Sequence, residues 1–332
     1  MEYALIGDTG IKATRVCIGT WAIGGWMWGG SDESEAVAAI QAGLKKGLNI
    51  IDTAPAYGFG LSEETVGKAI SAFDRQSVYI STKAGIEWKE GRVFRNSSPE
   101  RIRQEIEDSL RRLRTGYVDI YHVHWPDPLV PVEETAGAMD ILFSQGKVRA
   151  IGVSNFSVEQ MERFRQVAPL HVCQPPYNLF ERGIEKDVLP YCRENGIPVM
   201  AYGALCRGLL SGSMRPDSVF SDGDLRRIDP KFQQPLFGRY LKAVDELAHF
   251  ARTRYQKTVL ELAVRWVLDQ GVDVALWGVR NPGQLEPVEG TMGWSIDEDA
   301  KRAIDDIIRR NIPAPVGPEF MAPPLRQQEA KV

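Results

Sequence analysis

Much that would narrow a function is scarce in this chain of 332 residues. Cysteine occurs only at Cys17, Cys173, Cys192 and Cys206, far apart and without a C-x-x-C pair, which argues against a zinc site or a disulfide framework. Cys17 and Cys173 lie in apolar strand-like runs and read as core residues; Cys206 sits in a glycine-rich loop, where a redox role stays open. Histidine is as rare as cysteine and shows no ligand spacing such as H-E-x-x-H, so no metal site is expected. No apolar run is long enough to span a bilayer, and no charged–apolar–small signal opens the chain, which leaves the cytoplasm as the default compartment. Net charge is −4 with the signs interspersed; without a basic stripe, nucleic acid is not an expected partner. G-x-G-x-x-G is missing altogether, and with it the usual mark of an open dinucleotide-binding sheet.

What is present is a globular composition, 43% hydrophobic and 25% charged, arranged in one repeating pattern. Short apolar runs end at Gly19, Asp52, Thr82, His124, Ser154, Gln174, Tyr202 and Gly278, and amphipathic stretches lie between them. Ser98-Pro99-Glu100 opens a helix ending near Leu113, Ser157 with Gln160 makes a capping box, and Gly146 follows a helix that begins near Val132. Ser295 with Glu298 is expected to open a further helix. Continuously apolar strands alternating with helices imply parallel pairing, and their number favours a single α/β domain over residues 1–332, a (β/α)8 TIM barrel. An N-terminal β-hairpin turning at 7–10 precedes it. A long loop after strand 7, from Gly203 to about Gln234, breaks the rhythm; it reads as a lid over a cofactor, with Arg207 and its amides suited to diphosphate. No Lys-Ser or Lys-Thr follows its glycine, so it is not a Walker loop.

Barrel sites form at the C-terminal strand ends, where nearly every residue here is polar, aromatic or glycine. Asp52, Tyr57, Lys83 and His124 fall at or just past the ends of these runs. His122, two residues before His124, faces the same side one layer deeper. A phenol is a poor proton donor or acceptor at neutral pH, and a nearby ammonium is expected to lower its pKa. A carboxylate would fix the lysine, and a histidine would orient a carbonyl oxygen. The set suits proton transfer to a carbonyl as hydride arrives from a cofactor. Trp21, Trp26, Trp28, Trp88 and Trp125 read as an aromatic pocket around that carbonyl.

These residues lie in motifs that closely resemble the aldo-keto reductases: GTWAIGG at 19–25, NIIDTAPAYGFGLSEETVGKAI at 49–70, STKAG at 81–85, DIYHVHWPDP at 119–128, GKVRAIGVSNF at 146–156, QPPYNLFER at 174–182, AYGALCRGLLSG at 201–212 and ALWGVRNPGQLE at 275–286. PVGPEFMAPP at 315–324 is similar to the bacterial general-stress and inositol-operon branch (family 11-like). The resemblance implies a barrel binding NADPH at its mouth, with Tyr57 as general acid/base and Asp52, Lys83 and His124 completing the tetrad. It implies that Ser154, Asn155 and Gln174 hold the nicotinamide carboxamide, that Tyr202 stacks on its ring, and that Gly19, Thr20, Trp21 and Gly278 border it. Gly203, Ala204, Leu205, Cys206, Arg207 and Gly208 would take the diphosphate, Arg280 the 2′-phosphate with Arg226 as a weaker candidate, and Gln284 the adenine. Ser213 and Val288 depart from residues common in relatives, which leaves NADPH favoured over NADH. The expected partner is a small carbonyl compound, and nothing requires more than a monomer. Two other readings stay open: a Schiff-base lyase using Lys83, and a non-catalytic nucleotide-binding regulatory subunit.

Overall fold

The computed structural model describes residues 1–326. Eight parallel strands form the central sheet: β1 (Val16–Gly19), β2 (Ile50–Asp52), β3 (Tyr79–Ala84), β4 (Val118–Val123), β5 (Val148–Ser154), β6 (Val172–Gln174), β7 (Met200–Ala201) and β8 (Val274–Gly278). Each expected run is there, shifted by a residue or two at the ends. Neighbours pair in the order β6-β5-β4-β3-β2-β1-β8-β7. Parallel bridges Cys173↔Val199 and Pro176↔Tyr202 join the two edges and close a (β/α)8 barrel.

Helices form where the sequence caps them. The Ser98 side chain accepts from Arg101 N ahead of Pro99–Leu113, and the box of Ser157 with Gln160 opens Val158–Arg165. The last expected cap is displaced. Asp297, not Ser295, accepts from Ala300 N and starts Glu298–Asn311, because Ile296 is tethered by its amide to Asp269 Oδ2 and the chain turns only after it. Among the described residues no helix is long and apolar enough to cross a membrane.

The interior of the barrel changes character along its axis. At the N-terminal end Cys17, Ile50, Ile120, Ala150, Val172, Met200 and Val274 pack together. The N-terminal hairpin, Tyr3–Leu5 against Lys12–Thr14, closes this end by inserting Ile6 and Ile11, both fully buried. Towards the C-terminal end the inner face turns polar, with Asp52, Ser81, Lys83, His122 and Gln174 all buried. A second hairpin, Ile86–Lys89 with Arg92–Arg95, was not apparent in the sequence and rises beside the mouth. The segment after β7 carries short 3-10 turns at Cys206–Ser211, Leu225–Arg227 and Pro230–Phe232 rather than running unstructured.

Because Ile11 is a plug residue with no solvent contact, Ile11→Ala is expected to lower unfolding free energy by about 2–4 kcal/mol. Urea unfolding should show a lower midpoint with an unchanged slope; an unchanged midpoint would mean that the hairpin does not seal the barrel.

Candidate active site

Asp52 and Lys83 form a buried ion pair, Nζ to Oδ2 at 2.6 Å, with side chains 2% and 1% exposed. Charges this deep need further hydrogen bonds as well as each other to offset their lost hydration. The Lys83 ammonium also donates to Thr53 O at 2.8 Å. Asp52 Oδ1 accepts from Ser81 Oγ and from Gln174 Nε2, each at 2.8 Å. Strands β2, β3 and β6 thus meet on one carboxylate.

Tyr57 stands above this pair on the segment leaving β2. Its amide donates to Ala54 O and its carbonyl accepts from Ser62 N, while Ser62 Oγ bonds to the Thr20 hydroxyl at 2.7 Å and lies 2.9 Å from the Thr53 hydroxyl. The backbone here touches the loop after β1 so closely that a Cβ on Gly58 would lie 2.1 Å from Gly24 O, and one on Gly24 would lie 2.5 Å from the Tyr57 carbonyl carbon. Only glycine fits at either position. The phenol ring stacks on Trp21 at 5.9 Å, meets His124 edge-on at 5.8 Å, and has the Lys83 Nζ 5.0 Å from its centroid.

The electrostatics differ from the sequence expectation in one respect. Burial and the Asp52 carboxylate push the Tyr57 phenol well above its ordinary pKa, so Lys83 does not leave it acidic. Desolvation and the Lys83 charge hold His124 well below the usual imidazole range, with His122 adding to the effect. At neutral pH the site presents a protonated phenol and a neutral imidazole beside the Lys83–Asp52 pair.

A cavity of about 270 Å³ opens above these groups, and Tyr57, His124, Trp21, Trp125, Ser154, Asn155, Gln174 and Tyr202 line it. Asn155, held in the left-handed region at φ 63°, donates to His124 O and accepts from the Tyr202 hydroxyl at 2.9 Å. Ser154 Oγ donates to Gln174 O at 2.7 Å. Thr20 is fully buried, with its amide and hydroxyl both donating to Asp52 O; it anchors the site without facing it. Gly19 pairs with Asp52 in the sheet, and Gly278 is exposed with open space where a side chain would stand.

Several expected contacts fall elsewhere. The Arg207 guanidinium turns inward to Glu181 and Asp229, its side chain only 3% exposed, in a cluster that Lys231 completes. Two acids in the interior outbid a solvent-facing phosphate, so this side chain is no diphosphate contact. Ala204 and Cys206 are buried as well, leaving Gly203, Leu205 and Gly208 as the partly exposed residues of that loop. Burial raises the Cys206 thiol to about 12, which speaks against a redox role. Arg226 pairs with Asp224 at 2.6 Å and lies over Trp28 and Phe220. Arg280, by contrast, pairs with no carboxylate among the described residues; it donates to Trp28 O, and Gln284 Oε1 accepts from its amide. Val288 is buried in the core, and Ser213 is exposed beside Ser211.

Of the aromatic pocket, Trp21, Trp26 and Trp125 line the cavity, whereas Trp28 and Trp88 do not. Trp28 braces Trp21 edge-on at 5.4 Å, and Trp88 packs on Phe59 and under Arg101. The rest of the wall was missed in the sequence: Met27, Ile86, Val93, Leu225 and the C-terminal strap Phe320–Pro324. The strap is held by Arg95, whose amide bonds to Pro324 O, whose Nε bonds to Pro323 O at 2.8 Å and whose Nη1 bonds to Pro126 O. The proline-rich run near the end of the chain was the available signal; nothing local tied it to the mouth.

A closed parallel barrel whose C-terminal face gathers a phenol, an ammonium–carboxylate pair and an imidazole around one cavity defines a carbonyl oxidoreductase of the nicotinamide-dependent kind. The model of the Aldo/keto reductase family matches residues 15–309, and the chain belongs to that family. It is 56% identical over 330 residues to "Aldo-keto reductase YhdN" of Bacillus subtilis, covering 99% of this chain and 100% of that protein. It is 38% identical over 303 residues, 86% and 91% of the two chains, to the "NADH-specific methylglyoxal reductase" of Escherichia coli. The solved glycerol dehydrogenase AKR11B4 from Gluconobacter oxydans superposes with a TM-score of 0.88 at 52% identity, covering 96% of this chain and 99% of that one.

The inward ion cluster makes a direct test of Arg207. Arg207→Ala leaves Glu181 and Asp229 short of a cation and is expected to cost about 3–5 kcal/mol of unfolding free energy. Weaker cofactor binding at unchanged stability in a urea titration would instead restore the diphosphate role.

Proposed function

We propose that this chain, acting as a single barrel unit, is an NADPH-dependent reductase of small aldehydes and ketones, running reversibly to the alcohol. The observation that carries the reading is the protonated Tyr57 phenol set between the Lys83 ammonium and the neutral His124 ring on the wall of one cavity. The residues present fit a nicotinamide cofactor. Polar Ser154, Asn155 and Gln174 share the cavity wall with Tyr202, Gly278 leaves open space at the end of β8, and Arg280 offers an unneutralised fork.

When bound, the cofactor supplies a hydride to the carbonyl carbon. His124, neutral and able to donate one N–H, orients the carbonyl oxygen. Tyr57 gives that oxygen its hydroxyl proton, and the phenolate left behind is stabilised by Lys83, whose position Asp52 and Thr53 O fix. In the oxidation direction the phenolate takes the alcohol proton back. The high phenol pKa in the resting protein keeps the proton in place until the carbonyl arrives. The apolar wall of Trp21, Trp26, Trp125 and the strap excludes water and suits a short, largely apolar carbonyl compound.

For the cofactor, Arg280 supports NADPH, since a planar guanidinium that pairs with no carboxylate among the described residues suits a phosphate. The related methylglyoxal reductase is named NADH-specific, which makes the preference a matter for measurement. The lyase reading is disfavoured by the partners of Lys83, whose Nζ is engaged by Asp52 Oδ2 at 2.6 Å and Thr53 O at 2.8 Å.

Tyr57→Phe is expected to retain NADPH binding and to lose reduction of an aldehyde panel by about 10²–10⁴-fold, followed by nicotinamide absorbance. Full activity in that variant would remove Tyr57 as proton donor. Arg280→Ala should weaken NADPH by about tenfold or more while leaving NADH within about twofold in fluorescence titrations. An equal effect on both would end the 2′-phosphate assignment.

A further inference from the structure

Beneath the ion pair, two buried side chains remain that the proposed chemistry does not use. Ser81 Oγ lies 2.8 Å from Asp52 Oδ1, and His122 Nε2 lies 3.1 Å from Ser81 Oγ. An ionised carboxylate only accepts, so Ser81 is the donor to Asp52. Its single proton is then committed, and the hydroxyl accepts from the ring: His122 carries its proton on Nε2. The other ring nitrogen, Nδ1, is buried without a hydrogen-bond partner among the described residues. It faces Gly152, where a Cβ would lie 2.2 Å from Nδ1, so the ring occupies space that only a glycine leaves. A second proton on this ring would find no acceptor and would sit close to Lys83; burial and that charge hold the imidazole well below its usual range.

We propose that His122 and Ser81 are positioning residues, a two-link relay that orients the hydrogen bond reaching Oδ1 of Asp52 and so fixes the carboxylate that holds Lys83. No proton moves along it. Its value lies in the alternative donor. Besides Ser81, Oδ1 accepts among the described residues only from Gln174, and Gln174 also lines the cavity. A Gln174 amide recruited by a ligand would leave Oδ1 short of a donor. The relay comes from below the site, on β3 and β4, and serves Asp52 whatever Gln174 does.

The inference rests on Tyr57 and Lys83 acting as proposed above, and its test separates the two. Ser81→Ala is expected to slow single-turnover oxidation of NADPH by an aldehyde by about tenfold or more, with the NADPH dissociation constant within about twofold of the parent protein. His122→Leu should show the same loss. The double variant should be no slower than Ser81→Ala alone, because the two residues act through one bond. His122→Gln, which places an amide N–H at the same number of bonds from the backbone as Nε2, should recover most of what His122→Leu loses. If Ser81→Ala is not recovered folded, Ser81→Cys, with a weaker donor of similar size, carries the same expectation. A folded Ser81 variant with a parental single-turnover rate overturns the relay, as does a double variant with additive losses. Nitrogen-15 spectra of histidine-labelled protein, with the His122 signal assigned from His122→Gln, test the tautomer without turnover. A bare Nδ1 and protonated Nε2 are expected, and a ring protonated at Nδ1 refutes the geometry. If the parent protein reduces no carbonyl, the proposed function fails while the tautomer measurement still decides the relay.

Discussion

The buried pair of Asp52 and Lys83 is the constraint around which the mouth of the barrel is built. Removing two opposite charges from water is costly, and their mutual attraction compensates only when hydrogen bonds complete both partners. That requirement explains the polar inner layer above an otherwise apolar barrel. Ser81 and Gln174 serve the free oxygen of the carboxylate, Thr53 O gives the ammonium a second acceptor, and Thr20 and Ser62 tie down the backbone that carries them. These groups come from distant parts of the chain and converge only because the barrel closes. Tyr57 inherits its environment from the pair: the nearby carboxylate and burial keep its proton on, while the ammonium stands ready for the charge that follows its release.

Much of the scaffold was legible because its signals are local. Apolar runs bounded by helix caps marked all eight strands, and their C-terminal ends marked Asp52, Lys83, His124 and Ser154. The depth of His122 below His124 followed from strand alternation and holds in the structure. What failed depended on partners far away in sequence. The upward shift at Tyr57 cannot be read from residue types, since burial, its larger cause, and the nearby Asp52 carboxylate both depend on how the closed barrel packs around the phenol. Ser295 offered a plausible cap, but a tether to Asp269 moved the helix start to Asp297.

The arginines make the same point. Arg207, after Cys206, and Arg280, after Val279, both lie shortly beyond the end of a strand, and both suggested phosphate. One is turned inward by Glu181 and Asp229, which lie 26 and 22 residues away. The guanidinium of the other meets, among the described residues, only a backbone carbonyl. Among the tryptophans, likewise, Trp26 reaches the cavity while Trp28, two residues on, braces Trp21 from behind.

The strap over the pocket is gripped in a particular way. Arg95 bonds to the carbonyls of Pro323 and Pro324, and the strap's side chains at Phe320, Met321 and Ala322 contribute the wall. Attachment and lining are therefore carried by different atoms. A grip on peptide carbonyls is indifferent to side-chain identity, but the Phe320 ring also lies against Arg207 and Lys231, and the Met321 sulfur against Arg207. Ala322 is therefore the place where the contour of the pocket can be redrawn while the carbonyl anchors, and the proton chemistry beneath, stay as they are.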